Sequence, residues 1–149
     1  MRIAVSSDEY GHVVDVILRE LTERGHETVY YGPRAGDDSV DWPEVTLRAA
    51  QDVAETRADE AVVMCWTGTG CSIVANKIPG IRAALCVDAE TARGARIWNH
   101  ANVLALSLRS TSEAIVKEIL DRWFDTPKSN DEWNLRQIAA VQRIESGES

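Results

Sequence analysis

The sequence predicts an α/β protein: a doubly wound, Rossmann-like sheet of five parallel strands with helices on both faces. Three observations carry this. Short, almost continuously apolar runs recur five times. Amphipathic stretches of helical period alternate with them. Polar or glycine-rich segments follow four of the five runs. Strands covered on both faces read as unbroken apolar runs, and a β-α-β-α alternation implies a parallel sheet with right-handed crossovers.

The five strand segments are "RIAVSS" (2–7), "ETVYYG" (27–32), "EAVVMCW" (60–66), "IRAALCV" (81–87) and "NVLALSL" (102–108). Between the first two, "VVDVILRELTERG" (13–25) puts Val13, Val16, Ile17 and Leu21 on one helical face, with Gly25 as its C-cap. "WPEVTLRAAQDVAETR" (42–57) carries Pro43 in the first turn, where proline is tolerated. "SEAIVKEILDRWF" (112–124) starts at a Ser or Thr cap. The tail "DEWNLRQIAAVQRIE" is amphipathic, and only "ESGES" reads as frayed. The 149 residues fit one domain, spanning 1–149. Ligands of such sheets bind beyond the carboxyl ends of the strands. There the sequence places "SSDEYG", "CWTGTG", "DAETARG" and "SLRS".

Composition narrows the function. A net charge of −8 and the lack of any Lys/Arg run argue against nucleic acid. No apolar run reaches the ~20 residues of a membrane span. The opening "MRIAVSSDEYG" is too short in apolar character for a signal peptide, so a cytoplasmic protein is expected. Three close cysteines, Cys65, Cys71 and Cys86, do not make a disulfide framework. His12, His26 and His100 have no metal-ligand spacing, so no metal site is expected.

The segment "CWTGTGCSIVANKIPGIRAALC" (65–86) carries the chemistry. It is not a Walker loop, for no Gly-Lys-Ser/Thr follows. It fails the dinucleotide fingerprint, because Ile73 stands at the third glycine position. A cysteine-x5-arginine phosphatase loop would need arginine where Cys71 stands. What remains is a thiol, a hydroxyl and backbone amides leading into a helix. Those amides stabilise negative charge and lower the pKa of a nearby thiol from its free value of ~8.5. Such a site suits removal of a proton beside a carbonyl. The plain alternative is that Cys65, closing a buried strand, is a small hydrophobe.

"SSDEYG", "VDWPE", the cysteine loop, "TARGARIWNHANVLALSLR" and "WNLRQI" together resemble the ribose-5-phosphate isomerase B / galactose-6-phosphate isomerase family. The resemblance runs over nearly the whole chain. It implies interconversion of aldose and ketose sugars through an enediolate, with neither metal nor other cofactor. Carried across, Cys65 is the general base and Thr67 its hydroxyl partner. Gly68, Thr69 and Gly70 form an amide cradle for the enediolate oxygens. Asp8 and Asn99 contact sugar hydroxyls. The resemblance also implies a homodimer or homotetramer, in which the C-terminal helix (about 129–145) reaches the partner's site. In a monomer that helix would leave Trp133 and Ile138 exposed.

Departures from the family pattern concentrate in the site. Glu9 replaces a histidine that contacts phosphate, and Trp98 replaces the ring-opening histidine. His100 stands for an acid and Trp66 for a loop glycine. Trp133 and Gln137 replace two tail arginines, while Arg136 and Arg109 are kept. A glutamate repels phosphate, whereas tryptophan faces suit sugar rings. The expected substrate is therefore a sugar without a terminal phosphate, or a short-chain one such as a tetrose. Ring opening falls to His100 or Glu9, unless the substrate is already open; His100 also reads as a helix-end residue bonded to backbone. The alternatives are a ribose-5-phosphate isomerase with a rebuilt phosphate site, a non-catalytic sugar-binding relative, and a thiol-redox protein using Cys65 and Cys71.

Overall fold

The computed structural model describes residues 1–148. Its strands are β1 (Arg2–Ser7), β2 (Glu27–Tyr31), β3 (Glu60–Cys65), β4 (Ala83–Leu85) and β5 (Val103–Ser107). The helices are α1 (His12–Glu23), α2 (Trp42–Ala54), α3 (Thr69–Ala75), α4 (Ala89–Asn99), α5 (Glu113–Asp125) and α6 (Glu132–Glu145). All strand pairs are parallel, in the order β2-β1-β3-β5-β4. The expected doubly wound sheet is therefore present. Among the described residues, no helix is long and apolar enough to cross a membrane.

The apolar runs conceal an alternation between two faces, with the larger side chains mostly on one. Ile3, Val5, Val62, Met64, Leu104 and Leu106 face α1, α4 and α5, in a core completed by Trp123. Ala4, Ala61, Val63 and Ala105 face the other way, toward α2 and α3. Cβ atoms alternate across a strand, so Cys65 follows Ala61 and Val63 onto the small-residue face. There the buried Cys71 of α3 meets it.

The chain passes from β1 outward to β2, then returns to β3 on the other side of β1. The reversal opens a crevice outside the carboxyl ends of β1 and β3. Capping sets the neighbouring helices. Ser112 accepts the Ile115 amide at 3.3 Å, and Asp131 accepts the Asn134 amide at 2.9 Å. Gly25 has φ +82°, the left-handed residue just past α1.

On α6 the inner residues are Asn134 and Ile138, while Trp133, Leu135, Val141 and Ile144 are exposed. The expectation for Trp133 thus holds. That for Ile138 does not: it lies on the same helical face as Asn134, one turn on, and is buried within its own chain.

Candidate active site

The crevice at the β1/β3 reversal holds a cavity of about 310 Å³ lined by Asp8, Trp42, Cys65, Trp66, Thr67, Thr69 and Gly70. Cys65 ends β3 with 5 % of its surface exposed. Beyond it the chain turns at Gly68, whose φ is +77°. A β-carbon there would stand 2.5 Å from Leu85 Cδ1 and 3.0 Å from the backbone of Leu106, so only glycine fits. The turn wraps the loop's amides back over the sulfur.

These contacts hold the Cys65 thiol down at about 5. The largest cause is a hydrogen bond from the Cys71 thiol. Burial opposes the shift, and the backbone amides of Cys71, Gly68 and Thr67 assist it. Cys71 Sγ also lies 3.2 Å from the Gly68 carbonyl and 3.6 Å from that of Val63. Bonding to Cys65 and burial push the Cys71 thiol far up.

The Gly68 amide is among those that favour the Cys65 thiolate. Thr69 and Gly70, first in α3, have N–H groups with no intrahelical acceptor. Thr67 and Thr69 hydroxyls bond each other at 2.7 Å on the cavity wall. Asp8 follows β1, and its Oδ1 is buried with no partner. Burial, with help from Cys65 and Glu9, raises its carboxyl above the usual range.

Trp42 escaped the sequence reading as a site residue. It opens α2, beside Pro43, and the Val40 amide ties this segment to the Asp8 carbonyl at 2.7 Å. The signal was available, because Trp42 lies inside "VDWPE", one of the stretches that carried the resemblance. Trp66 stands on the rim with its side chain exposed, and its carbonyl accepts from the Ser107 hydroxyl and the Arg109 amide. Arg109 thus adjoins the loop. Among the described residues, no lysine or arginine lines this cavity.

The remaining expected residues lie elsewhere in the chain. Trp98, Asn99 and His100 end α4, which returns to the amino-terminal edge of the sheet before β5. Trp98 folds back over Gly94, where a β-carbon would be 2.8 Å from its ring, and under Arg93 at 5.6 Å. His100 caps α4 with φ 49°. Its Nε2 lies 2.8 Å from the Ser129 carbonyl and 3.2 Å from Asn134 Nδ2, fastening α6 to α4. The helix-end reading of His100 describes this geometry. Trp98 and Asn99 line a second cavity of about 590 Å³ with Arg82, Gln137, Ile138 and Val141. Trp133 and Arg136 are exposed on α6, outside that lining. Within one chain the expected site is therefore in two parts, one around Cys65 and one where α4 meets α6.

A depressed thiol beside backbone amides at an α/β switch point can take a proton from carbon and hold the resulting anion. The family model described as Ribose/Galactose Isomerase matches residues 3–142. Ribose-5-phosphate isomerase B of Escherichia coli is 35 % identical over 145 residues, covering 97 % of this chain and 96 % of its own. D-erythrulose-4-phosphate isomerase of Pectobacterium atrosepticum is 32 % identical over 126 residues, covering 84 % and 83 %. The structure of ribose-5-phosphate isomerase B from Clostridium thermocellum superposes with a TM-score of 0.91 at 35 % identity, covering 100 % of both chains. The chain belongs to the Ribose/Galactose Isomerase family and is an aldose–ketose isomerase.

Proposed function

We propose that the protein isomerises a short, open-chain sugar, with four carbons the best fit, through an enediolate and with Cys65 as the base. The observation that carries this reading is the depressed Cys65 thiol on the wall of the β1/β3 cavity. Cys65 takes a proton from the carbon beside the carbonyl and returns it to the neighbouring carbon. The amides of Thr69 and Gly70 and the paired hydroxyls of Thr67 and Thr69 meet the two enediolate oxygens. The unpartnered Asp8 Oδ1 accepts from a sugar hydroxyl. Trp42 and Trp66 narrow the cavity, which favours a short substrate.

In this reading a second copy completes the site. The exposed apolar residues of α6 suit a homodimer, and Trp98, Asn99, Trp133 and Arg136 of the second copy cover the first copy's cavity. His100 then positions α6 and moves no proton. No residue is needed for ring opening with a tetrulose or a tetrose 4-phosphate, because the 2-keto group has no hydroxyl placed to close a five-membered ring and the phosphate occupies the O4 that would close one from C1.

The relative named for erythrulose 4-phosphate supports the four-carbon substrate and favours a second reading of its far end. There Arg109, with Arg136 of the second copy, meets a phosphate. The test compares erythrulose, erythrulose 4-phosphate and ribose 5-phosphate as substrates in heavy water, following deuterium at C1 and C2 by NMR. The proposal expects one of the two tetruloses to lead. Preference for ribose 5-phosphate by orders of magnitude would overturn it.

A further inference from the structure

An aldose–ketose isomerisation moves two protons. One passes between the carbons C1 and C2, the transfer given above to Cys65. The other passes between the two oxygens: the ketose carries it as the C1 hydroxyl, and the aldose carries it on O2. A base beside the carbons does not by itself move it. While that proton stays on O1, the intermediate can only return to the ketose.

The loop after β3 holds a pair of groups suited to the second transfer. Thr67 Oγ1 and Thr69 Oγ1 lie 2.7 Å apart, the ordinary length of a bond between hydroxyls, and either can be the donor. Both residues are exposed on the wall of the Cys65 cavity. Neither hydroxyl is used by the fold. Gly68 stands at the cap of α3, no side chain bonds the helix end there, and among the described residues the two hydroxyls bond only each other. A hydroxyl carries one proton and two lone pairs. Two that bond each other therefore present one donor and one acceptor outward. The monoanion of an enediol is the complement, with one O–H and one O⁻ on neighbouring cis oxygens. Reversing the bond between the threonines exchanges the two ends.

We propose that Thr69 is a catalytic residue which, with Thr67, passes the hydroxyl proton between O1 and O2 of the enediolate. The O1 proton goes to the nearer threonine oxygen, that threonine's own proton goes to the second threonine, and the second threonine's proton goes to O2. Three O–H bonds break and three form, the negative charge moves from O2 to O1, and both threonines end neutral. C2 then takes a proton as the C1 carbonyl forms. Asp8, on the same cavity with its Oδ1 unpartnered, is the competing carrier. The relay rests on the enediolate pathway proposed above and not on which group removes the carbon proton.

Wild type, Thr69→Val, Thr69→Ser and Asp8→Asn are incubated in heavy water with erythrulose, erythrulose 4-phosphate or ribulose 5-phosphate, whichever wild type turns over fastest. NMR follows deuterium at C1 of the recovered ketose beside the aldose formed, and circular dichroism checks folding. Thr69→Val should form aldose about 10²-fold more slowly, the scale of a lost proton-transfer group. Exchange into the recovered ketose should fall much less, so the ratio of exchange to conversion should rise by roughly tenfold or more. Thr69→Ser keeps the hydroxyl and should bring the ratio back to the wild-type value. A merely structural role would lower exchange and conversion together, so an unchanged ratio in a folded Thr69→Val would overturn the relay and leave the base untouched. A ratio raised by Asp8→Asn and not by Thr69→Val would give the transfer to Asp8 and overturn it as well. Wild type that forms aldose with no deuterium in either sugar would overturn the enediolate itself, and the relay with it.

Discussion

Trp42 Cε3 stands 3.1 Å from the point a β-carbon on Gly70 would occupy. One residue opens α2 and the other lies in the first turn of α3, so this contact closes the wall beside Cys65. Gly70→Ala would push the indole into the cavity. Misplacing a substrate by about 1 Å costs up to ~10²-fold. We expect kcat/KM to fall by roughly tenfold or more, and the fall should be seen in steady-state kinetics without loss of folding.

Trp42→Ala works in the opposite direction. Opening the wall should raise the preference for a five-carbon over a four-carbon substrate. The scale is about 10- to 200-fold, the value of one carbon in a fitted pocket. Competing substrates in one reaction measure the ratio directly, and an unchanged ratio would remove Trp42 from substrate selection.

The pH dependence follows from Cys65. Its thiol is depressed, and with Cys65 as the proposed base the active form is the thiolate, so activity should be present above about pH 5 and be lost as pH falls through that value. Cys71→Val removes the largest cause of the depression. The acid limb of kcat/KM should then move upward. A limb that stays put would mean the loop amides alone set the thiolate.

At the opposite end of β3, Glu60 joins Arg96 at 2.7 Å and accepts from Trp123 Nε1 at 2.6 Å, all three buried. Arg96 also donates to the Ala101 carbonyl at 2.6 Å, next to the left-handed His100. Glu60→Ala leaves a buried guanidinium without its charge partner. Such a break costs about 3–5 kcal/mol, which denaturant unfolding should register. A loss under about 1 kcal/mol would show that water replaces Glu60.

The two-part site makes a subunit test possible. Cys65→Ala and an Asn99→Ala/Arg136→Ala double variant should each be nearly inactive. Refolded together in equal amounts, they should regain roughly a quarter of wild-type activity, because half the dimers are hybrids with one intact site. No recovery, with hybrids present by native mass spectrometry, would refute sharing.

Much of this was legible in the sequence, for identifiable reasons. Strands covered on both faces produce apolar runs, and the five runs mark β1 to β5 within two residues at each end. Ser112 marks its helix start because a hydroxyl cap has a local partner. The strand order, with β5 between β3 and β4, depends on long-range pairing that no local pattern encodes. The loop after β4 was expected to join the crevice, but β4 is an edge strand and that loop does not line the Cys65 cavity. Cys65, Thr67 and Asp8 converge as expected. Trp42 went unassigned, and Cys71 was read only as a redox partner of Cys65, because their places come from packing across α2 and α3 rather than from motif spacing. Trp98 and His100 illustrate the reverse, for their aligned positions are clear while their contacts within the chain are those of a helix end.

The proposed function depends on Cys65 moving the proton. The most direct measurement is deuterium incorporation at C1 and C2 of erythrulose and erythrulose 4-phosphate in heavy water, wild type beside Cys65→Ser, with folding checked by circular dichroism. Wild type should incorporate deuterium steadily and the variant should lose about 10²-fold or more, the scale of a missing general base. Near-normal incorporation by a folded Cys65→Ser would contradict it.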